Sequence, residues 1–165
     1  MRYIIIVLIL CSCDSSETKA FSVPSYPHYL KTADAFVGMH ERENRNELKQ
    51  LMKVDPVSYE WCAAFVNATL RVNDTPGSDS VSKHPLMARS FLTWGESVDE
   101  PRLGDIVVFP RGNQGWQGHV GFFINSKVVD GKTYYIILGG NQGDTVSYDS
   151  YLASKAIGIR RLPNT

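Results

Sequence analysis

The chain has 165 residues, with 17 Lys plus Arg and 17 Asp plus Glu, so its formal net charge is zero. This length suits one domain with a hydrophobic core and is short for two. A balanced charge without a long basic block lacks the electrostatic signature of nucleic-acid binding, so we expect no nucleic-acid partner.

The N-terminus carries an apolar run, residues 3–10, directly after Met1-Arg2, and this run is too short to span a bilayer. Such a run behind a basic residue is typical of a signal peptide. Its end, Leu10-Cys11-Ser12-Cys13, resembles a bacterial lipobox, in which the cysteine after a small residue is lipidated. We therefore predict a signal peptide over residues 1–12 and a lipid anchor on Cys13. A plain signal peptide cut nearby and an uncleaved tethering segment are the alternatives.

Cysteine usage indicates one free thiol in the domain. Cys11 leaves with the signal peptide and Cys13 is acylated, so Cys62 remains alone and no disulfide can form within the domain. An unpaired cysteine in an exported protein is liable to oxidation, which raises the question of a reactive thiol. Residues 13–27, rich in Ser and without apolar periodicity, are predicted to be a tether, and the folded domain is expected over 28–165.

Helical patterns occupy the first half of this domain and strand patterns the second. One predicted helix carries Cys62 within its first turns, and apolar spacing predicts others over about 29–37, 46–53 and 86–93. After Pro101, runs separated by Gly, Asp and Asn predict strands at 105–109, 119–125, 134–138, 145–151 and 157–162. This order predicts an α+β fold, with N-terminal helices packed on a C-terminal antiparallel sheet of about five strands.

A cysteine is a nucleophile as its thiolate, which needs a nearby base and gains from the positive end of a helix dipole. Cys62, near a helix start, meets the second condition. His119 lies between the glycine-rich loop 111–118 and an apolar strand, a position suited to meeting a helix N-terminus. The other histidines lie in polar or loop contexts typical of solvated side chains; they are His28, His40 and His84.

A third side chain, usually Asn, Asp or Glu, orients the histidine in such systems. The candidates are Asn141, Gln142 and Asp144. A two-residue turn at Asp130-Gly131 puts Gln142 opposite His119, whereas a three-residue turn puts Asn141 there. We prefer Asn141, although a bulge at Gly139-Gly140 would change the register.

Four segments in order resemble the CHAP and NlpC/P60 superfamily of papain-like cell-wall hydrolases, in particular a CHAP-like branch of bacteria and phage lysins. The segments are Trp61-Cys62-Ala63-Ala64-Phe65-Val66-Asn67, Gly104-Asp105-Ile106-Val107-Val108-Phe109, Gly118-His119-Val120-Gly121-Phe122 and Leu138-Gly139-Gly140-Asn141-Gln142. The resemblance covers about residues 29–163. It implies a papain-like α+β fold with Cys62 as nucleophile, His119 as base and Asn141 as the polar residue on the following strand.

The resemblance implies a hydrolase that cleaves an amide or peptide bond in the peptide stem of peptidoglycan through an acyl-enzyme. Tyr59 is the candidate second oxyanion donor beside the backbone N–H of Cys62, and Trp116, Arg111 and Gln142 are candidates for the substrate groove. We expect no cofactor and no metal, since His-Glu-x-x-His is missing and the domain has one cysteine. The alternative is a catalytically inactive, lipid-anchored domain of the same fold that binds peptidoglycan.

Two features depart from the family pattern. The export signal and lipobox predict a place in the bacterial cell envelope, anchored through Cys13 and facing the periplasm or the exterior, whereas lysins of this type are often soluble cytoplasmic products. Glu60 directly precedes Trp61-Cys62. A negative charge at this position would raise the pKa of the Cys62 thiol, and the sequence offers no reason for it.

Overall fold

The computed structural model describes residues 26–163. The predicted signal peptide, the predicted lipidation site Cys13 and the predicted tether up to residue 25 lie outside the described residues. Helices come first within the described part and are α1 (His28–Asp34), α2 (Arg45–Met52) and α3 (Cys62–Arg71). The strands are β1 (Glu96–Ser97), β2 (Ile106–Pro110), β3 (Gly118–Val129), β4 (Lys132–Gly139), β5 (Ser147–Leu152) and β6 (Gly158–Arg161). No helix among residues 26–163 is long and apolar enough to cross a membrane.

The strands form one antiparallel sheet in the order β1-β6-β2-β3-β4-β5. The α+β class predicted from the sequence is confirmed, and five of the strands correspond to predicted ones. The additional strand, β1, has two residues and pairs with the end of β6 through Glu96 and Arg161. A strand this short has no periodicity for sequence reasoning to detect.

Both faces of the sheet are covered, and the alternation of side chains along β2 shows how. Ile106 and Val108 belong to the main core, which also holds the apolar residues of α3. Val107 and Phe109 point the other way, into a second cluster closed by the β4–β5 hairpin and β6. Complete burial of a side chain such as Phe65 in α3 contributes about 1.5–3 kcal/mol, so the main core fixes α3 against the sheet.

The fourth predicted helix is a 3-10 helix, Ala88–Thr93, rather than an α-helix. Its backbone bonds run from residue i+3 to residue i, as in Ser90 N–H to Met87 O and Trp94 N–H to Phe91 O. The segment is too short to repay the nucleation of a full α-helical ladder, and the tighter 3-10 form closes it instead.

The β3–β4 hairpin decides the register near its base. Val129 pairs with Lys132, and Asp130 and Gly131 both have positive φ, so the turn has two residues and the three-residue turn favoured from the sequence is wrong. A bulge between Phe123 and Asn125, not at Gly139-Gly140, then shifts the pairing by one residue. The strand β4 ends at Gly139, so residues 141 and 142 lie beyond the strand. Neither of the two cross-strand pairings predicted for His119 therefore forms.

Candidate active site

Cys62 is the first residue of α3, and its position is set by packing on either side. The preceding Trp61 is fully buried, and its indole Nε1 donates a hydrogen bond of 3.2 Å to Glu41 Oε2. A Cβ added at Gly140 would lie 2.4 Å from the Trp61 ring, so only glycine allows the turn after β4 to close on this residue. The thiol therefore lies at the N-terminus of α3, where the first backbone N–H groups have no acceptor within the helix and the helix dipole has its positive end.

His119 is the second residue of β3, opposite Phe109 of β2, and is 2% exposed. Its chain neighbour Val120 directs a backbone N–H at the Cys62 sulfur, as does Ala63. The two residues predicted from the sequence, one at a helix start and one at a strand start, therefore lie together. Cys62 itself is 3% exposed and is a free thiol.

The side chain that holds His119 is Gln142. Its Oε1 lies 3.0 Å from His119 Nε2, and the residue is 6% exposed. The amide nitrogen of Gln142 donates to two backbone oxygens, that of Ser147 at 2.7 Å and that of Ile137 at 3.4 Å. Because the nitrogen is occupied by acceptors, the oxygen must be the atom that faces the imidazole.

This hydrogen bonding assigns the proton on the neutral His119 ring. Gln142 Oε1 can only accept, so Nε2 carries the hydrogen and Nδ1 carries the lone pair. Nδ1 is buried and has no hydrogen-bond partner among the described residues. The site thus contains an imidazole nitrogen with a free lone pair. Such a nitrogen is compatible with a catalytic role, because catalytic hydrogen bonds often tighten only when substrate is present.

Asn141, expected beside His119, lies elsewhere. Its φ of 59° places it in a left-handed turn after the end of β4, and its side-chain amide donates to Glu60 Oε2 at 2.7 Å. The register argument failed here because the strand ends two residues earlier and the turn rotates the next side chain, Gln142, toward the imidazole. The two-residue turn at Asp130-Gly131 does not by itself lead to Gln142, because the bulge after Phe123 shifts the pairing back by one residue before His119 is reached.

Glu60, unexplained by the sequence, belongs to a charge pair at the mouth of the site. Its Oε2 lies 3.4 Å from Arg111 Nη1, and Arg111 also donates to the backbone oxygen of Asn141 at 3.2 Å. Arg111 was predicted as a groove residue that could meet a carboxylate of the stem peptide. Its guanidinium offsets the Glu60 carboxylate next to Cys62, so the negative charge does not act on the thiol alone.

Burial dominates the protonation of the two reactive groups. Burial raises the pKa of the Cys62 thiol; the Val120 N–H, the Arg111 charge and the Ala63 N–H oppose this rise, and the Glu60 charge adds to it. Burial also lowers the pKa of His119 to about 4, a shift opposed by the Gln142 hydrogen bond and assisted by Arg111. At neutral pH both groups are therefore uncharged.

A cleft of about 310 Å³ opens on Cys62. Apolar side chains form one wall, and Trp116, which is 61% exposed, stands in the loop between β2 and β3. The lining residues are Glu60, Cys62, Leu86, Met87, Ala88, Arg111, Gly112, Trp116, Gln117 and Gly118. The groove candidates Trp116 and Arg111 thus lie in the cleft, whereas Gln142 is buried behind it. Tyr59, the oxyanion candidate, is exposed and lines a neighbouring polar depression instead.

The loop that carries Trp116 is closed on itself by one side chain. Gln117 Oε1 accepts the backbone N–H groups of Asn113 at 2.9 Å and Gln114 at 3.0 Å. Arg89 fixes the base of the loop by donating to the Gln117 carbonyl at 2.9 Å. Among residues 26–163, no group of three or more His, Cys, Asp and Glu side chains is placed to hold a metal ion.

The helices packed on an antiparallel sheet, with a cysteine at a helix start against a strand-borne histidine, define a papain-like α+β domain. The CHAP domain family matches residues 54–141, more than half of the chain, and the chain belongs to this family. CHAP domains are typically peptidoglycan hydrolases or amidases, and peptidoglycan is the substrate that membership implies. A comparison of the sequence with curated proteins finds no match.

Proposed function

We propose that this protein is a cysteine hydrolase that cleaves an amide or peptide bond in the peptide stem of peptidoglycan, with Cys62, His119 and Gln142 as its catalytic group. The observation that carries the proposal is the fixed tautomer of His119. Gln142 Oε1 accepts from Nε2, which leaves the Nδ1 lone pair free to take a proton. This assignment replaces Asn141 by Gln142 as the third member.

The reaction proceeds from a neutral pair. As the Cys62 sulfur attacks the substrate carbonyl carbon, its proton passes to His119 Nδ1 and the carbonyl oxygen becomes an oxyanion. The tetrahedral intermediate collapses, the C–N bond breaks, and Nδ1–H gives its proton to the leaving amine. Water then attacks the thioester with His119 as base, which releases a carboxylic acid and restores the thiol.

The oxyanion is met by the backbone N–H of Cys62, which lies in the first turn of α3 and has no acceptor within the helix. Tyr59 remains a prediction for the second donor, although it lines the adjacent depression rather than the cleft. The apolar wall and Trp116 suit an extended peptide lying across the cleft mouth.

The test is digestion of purified peptidoglycan by the wild type and by Cys62→Ala, with the soluble fragments identified by mass spectrometry. We expect new termini only with the wild type, and these termini name the bond that is cut. Equal release by both proteins would contradict the mechanism. Cys62→Ser serves as a matched variant, because it keeps the size of the side chain and exchanges the sulfur for a weaker nucleophile.

The alternative of an inactive binding domain draws on the burial that raises the pKa of the Cys62 thiol. It predicts that the wild type sediments with insoluble peptidoglycan yet releases no fragments. Fragment release by the wild type that is absent with Cys62→Ala decides for the enzyme.

We also propose that the mature protein is anchored in the bacterial cell envelope by a lipid on Cys13, since the apolar run and Leu10-Cys11-Ser12-Cys13 fit a lipobox. Metabolic labelling with a fatty acid should mark the wild type and Cys11→Ser but not Cys13→Ser. Labelling of all three proteins, or of none, would contradict the anchor. This outcome is independent of catalysis.

A further inference from the structure

An aromatic ring from the last hairpin lies against the catalytic histidine. Tyr151 of β5 stacks on His119 with ring centroids 5.2 Å apart and an angle of 19° between the planes. It also stacks on Phe109 at 4.7 Å and 25°. Since Phe109 is the cross-strand partner of His119, rings from β2, β3 and β5 meet at one point of the sheet.

This contact is not a pairing of neighbouring strands. Tyr151 pairs with Tyr135 of β4, and β4 separates β5 from β3 in the sheet. The Tyr151 ring therefore reaches the imidazole across β4 and not through a cross-strand pair. Tyr151 also lies beyond residues 54–141, the part of the chain that matches the CHAP family.

We propose that Tyr151 is a positioning residue for His119, which holds the plane of the imidazole and stabilises the imidazolium formed when His119 takes the Cys62 proton. The proposal rests on the proposed function in one respect, that His119 is the base. The hydrogen bond from Nε2 to Gln142 fixes one point of the imidazole and does not by itself set the plane of the ring. The stacked Tyr151 ring supplies a second constraint, on the plane.

The stabilisation follows from the charge distribution of an aromatic ring. A cation within about 6 Å of a ring face is attracted by the ring quadrupole. The imidazolium needs this support because burial and the Arg111 charge both disfavour it. The titratable and charged groups around the two rings are Cys62 and Arg111 on the cleft side and Asp149 on β5.

Tyr151 itself does not act as an acid or base in this scheme. Burial is the main cause that raises the pKa of its phenol to about 12, so the group stays neutral over the working range. The contribution comes from the ring and not from the hydroxyl. Phenylalanine at this position should therefore preserve it.

The experiment compares Tyr151→Leu with Tyr151→Phe and with the matched control Tyr135→Leu. Tyr135 faces Tyr151 across the β4–β5 pair and makes an edge-to-face contact with Phe123, not with His119. We expect Tyr151→Leu to lower kcat about tenfold with KM nearly unchanged, while Tyr151→Phe stays within about twofold of the wild type. Tyr135→Leu should lower the melting temperature and leave kcat nearly unchanged.

A second readout does not depend on peptidoglycan. Nitrogen-15 NMR of labelled histidine reports which ring nitrogen carries the proton. We expect His119 to be protonated at Nε2 in the wild type and in all three variants, because Gln142 sets the tautomer. A pH titration of the same signals should show a lower His119 pKa in Tyr151→Leu than in the wild type, Tyr151→Phe and Tyr135→Leu, because the imidazolium loses the stacked ring. If the wild type cleaves no peptidoglycan, the proposed function fails, and this titration still decides the role of Tyr151; an unchanged pKa in Tyr151→Leu would contradict it.

Several outcomes overturn the proposal. Loss of kcat in Tyr135→Leu equal to that in Tyr151→Leu would assign the effect to packing of the second cluster. Equal loss in Tyr151→Phe would assign it to the hydroxyl. Should Tyr151→Leu not fold, Tyr151→pentafluorophenylalanine keeps the ring shape and reverses its quadrupole. In that case kcat should fall with the tautomer unchanged, and an unchanged kcat would contradict the cation–π contribution.

Discussion

His119 Nε2 lies 3.0 Å from Gln142 Oε1, in a buried contact that joins the start of β3 to the turn after β4. We expect Gln142→Leu to lower kcat by roughly 100-fold, because the imidazole then loses its fixed tautomer. The measurement is steady-state release of peptidoglycan fragments.

The matched control for this prediction is Asn141→Gly. Glycine keeps the left-handed backbone at φ 59° and removes the amide that bonds to Glu60. We expect its kcat to stay within about threefold of the wild type. A larger loss in Asn141→Gly than in Gln142→Leu would restore Asn141 as the third catalytic residue.

Removal of either charge of the Glu60–Arg111 pair should shift the pKa of the Cys62 thiol, in opposite directions for the two residues. Glu60→Gln removes a charge that raises the pKa of Cys62, so iodoacetamide should react about two- to threefold faster at pH 7. Arg111→Gln removes a charge that lowers this pKa, so the reaction should slow by a similar factor. Arg102→Gln is the control, because Arg102 is exposed and does not line the cleft. Changes of the same sign in both cleft variants would refute the electrostatic account.

The burial of His119 should make stability depend on pH in a defined window. Its pKa is about 4 in the folded protein, below the usual value of 6.5, so the unfolded chain binds more protons between these limits. The free energy of unfolding should therefore fall by about 3 kcal/mol as the pH drops from 6.5 to 4, with no further loss from this group below 4.

Urea unfolding at several pH values checks this prediction. His119→Gln should lose the slope between pH 4 and 6.5, whereas His84→Gln should keep it, because His84 is exposed in the loop before Pro85. Identical slopes in the wild type and His119→Gln would mean that His119 is not buried in its neutral form.

The contact between Gly140 and α3 should be intolerant of a methyl group. A Cβ at Gly140 would lie 2.4 Å from the Trp61 ring and 2.9 Å from the Phe65 Cβ. We expect Gly140→Ala to cost about 1–3 kcal/mol and to lower Tm by about 3–10 °C. Gly115→Ala, where nothing lies within 4 Å of the added Cβ, should leave Tm unchanged. Equal Tm values for the two variants would contradict the packing argument.

Sequence reasoning reached those parts of the site that depend on local pattern. The helix that carries Cys62 and the strand that carries His119 follow from apolar spacing and from nearby glycines. The third catalytic position did not follow, because it depends on the length of one turn, on a bulge near Ile124 and on the end of β4. An error of one residue in such a register exchanges the side chains that face each other.

The sequence by itself determined the α+β order of elements and the family, and it singled out Cys62 and His119 as candidate reactive partners, because each of these depends on short segments and their order. Only the tertiary structure decided that Gln142 holds the imidazole, that Arg111 offsets Glu60, and that Tyr151 covers His119. These contacts join residues far apart in the chain through loops and sheet curvature, and no local propensity encodes such distances.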